Sequence, residues 1–269
     1  MAAGAPPVRV ARRWDAAWFR PLVLLVGMLL AWELAIIVFG IQPYLVPSPW
    51  DVVRAFRSEG AELAAQTVPT AVATISGFLL SALIGIPTAM LIAGSRQVEA
   101  YVYPLLVFSQ SIPKVAVAPL FVVWFGFGMT PKVISAFLLG VFPVVVAGVQ
   151  GFKSVDPEMR DLARSMKASW LQTFRMVSLP HALPSIFAGL KVSVTLAVVG
   201  AVVGEFVGAN SGLGFVLQRS IGNFELPTMF AALVILAGLG VVLFWIVDLV
   251  ERLLVPWHAS QRSEIAATA

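Results

Sequence analysis

Six long apolar segments constrain this chain more than any other feature of its sequence. Each is about as long as the roughly 20 residues that a helix needs to cross the hydrocarbon core of a bilayer. Of the 269 residues, 59% are hydrophobic and only 12% are charged, which is unlike a soluble domain. The segments cover residues 21–40, 71–94, 101–128, 133–151, 186–208 and 229–250. We therefore predict an all-α integral membrane protein with six transmembrane helices.

The placement of basic residues predicts how these helices are oriented. Short cytoplasmic loops carry an excess of Lys and Arg. If the N-terminus is cytoplasmic, thirteen of the 18 Lys and Arg residues fall on that side and Lys114 lies within a span. The other side holds only Arg54, Arg57, Lys132 and Arg219. We predict a cytoplasmic segment at 1–20, one transmembrane domain at 21–253 containing a cytoplasmic loop at 154–180, and a mobile cytoplasmic tail at 254–269.

The connection between the first two spans contains a helix start signal. Residues 40–66 are polar enough to leave the membrane. Ser48 is a good N-cap residue, and Pro49 suits the first position of a helix. We therefore predict a short helix that opens at Ser48 or Pro49, separate from the second span, which would start near Thr67.

Prolines interrupt the third apolar segment. Pro104, Pro113 and Pro119 free backbone carbonyls at membrane depth, which is tolerated only where protein or water surrounds them. Polar residues lie beside the middle break, where Gln110 and Ser111 precede Lys114. These residues are candidates for a translocation path. The alternative is that Lys114 extends along its own stem to the headgroup region.

Glycines recur at every fourth position in the fifth segment. Gly200, Gly204, Gly208 and Gly212 would form one stripe along a helix and allow another backbone to approach closely. The partner is either another helix of this chain or a second copy. Glu205 and Asn210 flank the stripe towards its outer end. The Glu205 carboxylate could gate a path there, or could simply be in contact with water.

The longest polar stretch, residues 156–180, contains a second helix start signal. Asp156 can cap a helix that begins at Pro157, and Glu158 then suits the first turn. Apolar and basic residues recur on opposite faces at helical spacing. The apolar set is Met159, Leu162, Ala163, Met166 and Trp170, and the basic set is Arg160, Arg164 and Lys167. This periodicity fits a helix lying on lipid and a helix docking on a protein equally well.

Several function classes lack their characteristic residues. The sequence contains no phosphate-binding loop, so we do not expect the chain to bind ATP itself. It also lacks a nucleophile elbow and a metalloprotease motif, which argues against an enzyme. Without cysteine, and with only His181 and His258, it offers no metal cluster. The modest basic excess of a membrane protein does not imply nucleic acid binding.

The same polar stretch resembles the cytoplasmic loop of permeases of binding-protein-dependent ABC importers. That loop runs Glu-Ala-Ala, three residues, Gly, and then a closing Leu-Pro. The matching positions are Asp161, Leu162, Ala163, Lys167, Leu179 and Pro180, with Ala168, Ser169 and Phe174 fitting between them. Four segments also resemble the branch that handles nitrate, aliphatic sulfonates and taurine. They are LVPSPWDVVRAF (45–56), IPKVAVAPLFVVWFGFG (112–128), SVDPEMRDLARSMKAS (154–169) and VVGEFVGANSGLG (202–214).

This resemblance implies a bacterial inner-membrane importer assembled from several subunits. Two copies of the permease would form the path, two ATPase subunits carrying ATP and Mg would dock beneath it, and an extracytoplasmic solute-binding protein would deliver the solute. The loop would couple to the ATPases through Glu158, Asp161, Leu162, Ala163, Arg164, Met166, Lys167, Ala168, Trp170 and Phe174. The solute would be small and anionic, such as a sulfonate, taurine or nitrate, or alternatively a pyrimidine vitamin precursor. A secondary transporter, which would need inverted repeats, and a membrane scaffold are further alternatives.

One departure from the family pattern concerns the turn inside the loop. Lys167 stands where the family has a glycine, and a left-handed lysine costs on the order of 1 kcal/mol. Either the first helix continues through Lys167, or the chain turns near Lys167 and Ala168. Ser169 and Gln172 form a potential capping box for a second helix, which favours the turn.

Overall fold

The computed structural model describes residues 14–42 and 44–258, and within them the regular structure is helical. The ten α-helices of this part of the chain are α1 Trp14–Phe39, α2 Pro49–Gly94, α3 Arg96–Ser111, α4 Lys114–Phe125, α5 Met129–Lys153, α6 Pro157–Ser165, α7 Trp170–Thr173, α8 Leu179–Phe206, α9 Leu213–Gly222 and α10 Leu226–Leu254. A π-helix, Phe174–Ser178, joins α7 to α8, and a 3₁₀ turn, Pro256–His258, follows α10. Of the predicted terminal segments 1–20 and 254–269, residues 1–13 and 259–269 lie outside the described residues, whereas residues 14–20 form the start of α1.

Five of these helices are long and apolar enough to cross a membrane, namely α1, α2, α5, α8 and α10. The pair α3 and α4 passes the same test together but is bent by 93°. Counted as one broken span, the pair brings the total to six, so the predicted all-α fold with six transmembrane helices is confirmed.

The break in the third span lies at Ile112 and Pro113, both of which have extended backbone. Proline has no N–H to donate to a helix and disfavours helical geometry in the residue before it. The predicted interruption is therefore correct at Pro113, whereas Pro104 and Pro119 are accommodated inside α3 and α4.

The prediction of a separate short helix before the second span is wrong. The chain forms one helix of 46 residues, α2, and Thr67 lies inside it. Its start is as predicted, because Ser48 forms a capping box with Asp51. The alanine-rich stretch around Gly60 has high helix propensity and contains no proline before Pro69. The helix therefore continues from the polar connection into the apolar span without a break.

The core of the bundle is formed by α2, α5 and α8, with α5 in close contact with both of the others. A Cβ added at Gly200 would lie 2.5 Å from the Ser135 carbonyl oxygen, and one at Gly204 would lie 2.7 Å from the Lys132 Cα. This part of the glycine stripe therefore packs against α5 of the same chain. The stripe does not continue as one helix, because α8 ends at Phe206, and Gly208 and Gly212 lie in the turn that follows.

An ion cluster also connects α8 to α10. Lys191 Nζ lies 2.5 Å from Asp248 Oδ1 and 2.6 Å from Glu251 Oε2, and Arg252 pairs with Asp248 at 2.7 Å. The sequence analysis missed this cluster because it counted Lys191 among the thirteen basic residues on the cytoplasmic side, although Lys191 lies in the apolar segment 186–208. A charge within a span is stable when a partner of opposite sign lies on the neighbouring helix, which is the case here.

Candidate functional site

The 154–180 loop forms one end of the bundle, together with Gly94 and Lys153, and we call this the loop end. Helix α6 begins at Pro157, and Asp156 Oδ1 accepts a hydrogen bond of 2.9 Å from the Glu158 N–H. The predicted cap is therefore confirmed. Helix α6 ends at Ser165, so Trp170 belongs to a second helix and the prediction of one apolar face running from Met159 to Trp170 is wrong.

The turn between α6 and α7 is made at Lys167. Its φ of +58° is left-handed, and the Ala168 N–H donates to the Ala163 carbonyl at 3.0 Å. This is the geometry with which helices commonly end, usually at a glycine. The Ser169–Gln172 capping box is present and starts α7. The predicted turn is therefore confirmed, and Lys167 is left-handed at the position where the resemblance leads one to expect a glycine.

The loop leaves large apolar side chains exposed. Met166 and Trp170 are 75% and 76% exposed, and Leu162 is 63% exposed. Glu158 and Asp161 are also exposed, whereas Ala163, Ala168 and Phe174 are half-buried. Arg164 lies on α6, but its side chain lies outside the described part of the structure.

A stack of aromatic rings connects the loop to the spans. The Trp170 ring stacks on Phe174 at 5.6 Å and 10°, and Phe174 stacks on Phe152 of α5 at 6.0 Å and 26°. The stack therefore connects α7, through Phe174, with the end of α5. Sequence periodicity did not reveal this link, since Phe152 lies in another apolar segment.

The bend between α3 and α4 brings three of the predicted path residues together. Gln110 and Ser111 end α3, Lys114 begins α4, and Lys114 Nζ donates to Gln110 Oε1 at 2.8 Å across the bend. Ser111 is exposed and Lys114 is half-buried. The structure thus groups these residues, while Glu205 and Asn210 belong to another region.

That other region lies at the opposite end of the bundle, and we call it the far junction. It consists of Gln66, Thr70, Lys132, Glu205, the turn 207–212 and the first residues of α9. Glu205 is 0% exposed and Lys132 is 2% exposed, with 3.4 Å between Glu205 Oε1 and Lys132 Nζ. Glu205 is therefore not in contact with water in this structure, and Asn210 is exposed in the turn.

Hydrogen bonds at the far junction satisfy the buried charges and hold the turn. The Thr70 hydroxyl donates its one hydrogen to the Glu205 carboxylate, whose two oxygens lie 2.9 and 3.0 Å away, and the Gly214 N–H donates to Oε2 at 2.7 Å. Lys132 Nζ also donates to the Ser211 carbonyl at 2.7 Å. A buried ion pair is stable in the interior only when its remaining hydrogen-bond donors and acceptors also have partners.

Lys132, Gln66 and Thr70 are residues of this site that the sequence analysis did not assign to it, and Lys132 is the charged one. It was counted as a basic residue of an outer loop, yet its side chain is enclosed by α5, α8 and the turn. The sequence did contain a signal. Lys132 adjoins the apolar segment 133–151, Glu205 lies within the segment 186–208, and the two side chains have opposite charges. An ionisable residue at such a position is expected to find a partner.

Comparison with known proteins identifies the family. Residues 81–255 match the model of the binding-protein-dependent transport system inner membrane component. The formylaminopyrimidine transport permease protein ThiX of Halalkalibacterium halodurans is 39% identical over 242 residues, which cover 90% of this chain and 96% of that protein.

Two further permeases are similar along most of their length. The riboflavin transport system permease protein RibX of Chloroflexus aurantiacus is 36% identical and covers 95% of this chain and 96% of its own. The putative aliphatic sulfonates transport permease protein SsuC of Bacillus subtilis is 30% identical and covers 90% and 89%.

A solved structure shares the fold. The inward-facing MetNI methionine ABC transporter contains a chain that superposes with a TM-score of 0.60 at 20% identity, over 72% of this chain and 94% of that one. Taken with the family match and the three permeases, this likeness leads to one conclusion. The chain belongs to the binding-protein-dependent transport system inner membrane components and is a multi-pass permease subunit of an ABC importer.

Proposed function

We propose that the loop end faces the cytoplasm and that α6 and α7 dock on ATPase subunits, which would carry the ATP and Mg. The observation that carries this proposal is that Met166, in the turn after α6, and Trp170, the first residue of α7, are large apolar side chains that are about three-quarters exposed. An apolar face presented by a helix fits a groove on a partner protein. The aromatic stack from Trp170 to Phe152 would carry the partner's motion into the spans.

Two copies of the permease would form the path, and a solute-binding protein would deliver solute at the end of the bundle that contains the far junction. The polar bend at Gln110, Ser111 and Lys114 is the part of the described spans that we assign to the path. Support for this assembly comes from the family match and from the likeness to an ABC transporter structure.

The docking proposal is tested by changing Met166 or Trp170 to Asp. We expect the ATPase subunit no longer to co-purify, because a buried carboxylate without a partner opposes docking. Phe224→Asp is the matched control, since Phe224 is 73% exposed at the other end of the bundle. Equal retention of the ATPase by all three variants and the wild type would contradict the proposal.

The orientation can be tested independently because the chain contains no cysteine. Ser165→Cys places one thiol on α6, and Ser58→Cys places one on the opposite part of α2, with both serines exposed. In intact cells, a membrane-impermeant maleimide should label the Ser58→Cys variant alone. Labelling of the Ser165→Cys variant alone would place the loop outside.

We propose a small heteroaromatic compound of the pyrimidine type as the solute. Two relatives at 39% and 36% identity are named for a formylaminopyrimidine and for riboflavin. The second candidate is a small anion such as a sulfonate, taurine or nitrate. It is favoured by the ammonium group of Lys114 at the bend and by the relative named for aliphatic sulfonates at 30% identity.

These two solute classes are separated by measuring binding-protein-stimulated ATP hydrolysis of the reconstituted importer. Substituted pyrimidines should stimulate hydrolysis, and aliphatic sulfonates and nitrate should not. Lys114→Gln should have little effect on stimulation by an uncharged pyrimidine. Stimulation by sulfonates that is abolished in the Lys114→Gln variant would instead establish the second candidate.

A further inference from the structure

A cleft of about 500 Å³ lies behind α7, between this helix and the loop ends of α2 and α5. Its walls are formed by residues from α2, α5, the turn, α7 and the π-helix. The cleft thus lies between the loop and the spans, beside the aromatic stack that connects them. Any compound that filled it would contact both parts at once.

The walls combine aromatic rings with two available hydroxyl groups. The rings of Trp170, Phe174 and Phe152 form the stack described above, and Met90 adds a polarisable side chain. Thr173 and Ser178 line the same cleft, and neither hydroxyl makes a hydrogen bond within the described residues. None of the described lining residues is charged.

We infer that this cleft is a binding site for an uncharged, planar aromatic compound. Aromatic walls favour a flat ring system, and the two hydroxyls can hydrogen-bond to its polar edge. A charged ligand would lose hydration without gaining a partner of opposite charge. The inference extends to regulation if the proposed function holds, because a compound wedged between α7 and α2 would resist movement of the loop.

Gly94 permits a direct test of this inference. A Cβ added there meets no atom within 4 Å, so Gly94→Leu places a side chain in the open cleft without a backbone collision. Gly60→Leu is the matched control, since Gly60 also lies on α2 with no atom within 4 Å, far from the cleft.

Acridone is a suitable probe, because it is fluorescent, flat and uncharged and carries one donor and one acceptor. With the full-length chain in lipid nanodiscs, we expect saturable quenching of its fluorescence at submillimolar concentration. Gly94→Leu should weaken binding at least about ten-fold, and Gly60→Leu should not change it. The N-acetate derivative of acridone, which is charged and lacks the donor N–H, should bind at least about ten-fold more weakly than acridone.

The hydroxyl groups provide a second measurement that does not depend on filling the cleft. Thr173→Val and Ser178→Ala each remove one hydrogen-bonding group and should weaken acridone binding about five-fold. Each variant should retain the wild-type melting temperature, so that weaker binding reflects the site itself.

Three results would overturn the inference. The first is equal binding by wild type and a folded Gly94→Leu variant. The second is no saturable quenching by the wild type. The third is native mass spectrometry that shows a phospholipid retained by the wild type but lost from Gly94→Leu, because an acyl chain would then be the occupant. Failure of ATPase docking would leave acridone binding intact, so the two proposals fail separately.

Discussion

At the far junction, charged side chains are buried, whereas at the loop end apolar side chains are exposed. Lys132 and Glu205 are 2% and 0% exposed, while Met166 and Trp170 are 75% and 76% exposed. The buried pair is stable because hydrogen bonds from Thr70 and Gly214 complete it. No part of the described chain covers most of the surface of the exposed apolar side chains. The far junction is therefore a complete interior, and the loop presents apolar side chains that we propose an ATPase subunit covers.

The largest expected effect comes from removing the Glu205 carboxylate. Glu205→Ala would leave the Lys132 ammonium buried without its counter-charge, which should lower the free energy of unfolding by about 3–5 kcal/mol. Equilibrium unfolding in mixed detergent micelles measures this change. Glu62→Ala is the control, because the pair of Glu62 with Arg219 is partly exposed and should contribute less than about 1 kcal/mol. Equal losses in the two variants would remove the contrast between a buried and a surface charge.

The next largest effect is expected at Gly212, in the turn of the far junction. Its φ is +106°, and an added Cβ would lie 2.0 Å from Glu205 Oε1. Gly212→Ala should therefore cost about 2 kcal/mol or more in the same unfolding assay, from backbone strain and overlap. Gly222→Ala, where an added Cβ meets no atom within 4 Å, should be neutral or stabilising. A neutral Gly212→Ala would show that the turn can move away from Glu205.

A smaller effect is expected from the cap of α7. Ser169→Ala removes the acceptor for the Gln172 N–H and should reduce the local stability of this helix by about 1 kcal/mol. Faster hydrogen exchange at residues 170–174, with global unfolding unchanged, would report this. Ser165→Ala is the control, because the Ser165 hydroxyl only returns to the Asp161 carbonyl within α6. Unchanged exchange in Ser169→Ala would mean that the aromatic stack alone holds α7.

The smallest expected effect concerns the strain at Lys167. Glycine adopts the left-handed conformation without cost, so Lys167→Gly should exceed Lys167→Ala in stability by about 1 kcal/mol. Hydrogen exchange in α6 measures the difference. ATPase coupling should be preserved or raised in Lys167→Gly. A severe loss of assembly in that variant would show that the lysine side chain makes a contact of its own with the partner.

Local patterns predicted the elements whose causes are local. The apolar segments predicted the spans because a bilayer requires about 20 apolar residues from each helix. The caps at Ser48, Asp156 and Ser169 were predictable because each depends on residues within three positions of the helix start. The break at Pro113 was predictable for the same reason.

Two predictions that extended a periodic pattern past the end of a helix were wrong. The glycine stripe was extended beyond the end of α8 because its four-residue spacing continues into the turn. The apolar periodicity of 159–170 was assigned to one helix although the chain turns at Lys167. In both cases periodicity persists where the helix does not, since spacing carries no information on where the backbone reverses.

The sequence by itself determined that this chain spans a membrane, how many times it does so, and which long polar loop separates the fourth span from the fifth. Only the tertiary structure decided that Lys132 meets Glu205, 73 residues away, and that Phe152 joins the stack with Trp170. It also decided that Gly200 packs within the chain. The reason is physical: hydropathy and capping act over a few residues, whereas ion pairing and close packing depend on which helices the fold makes neighbours.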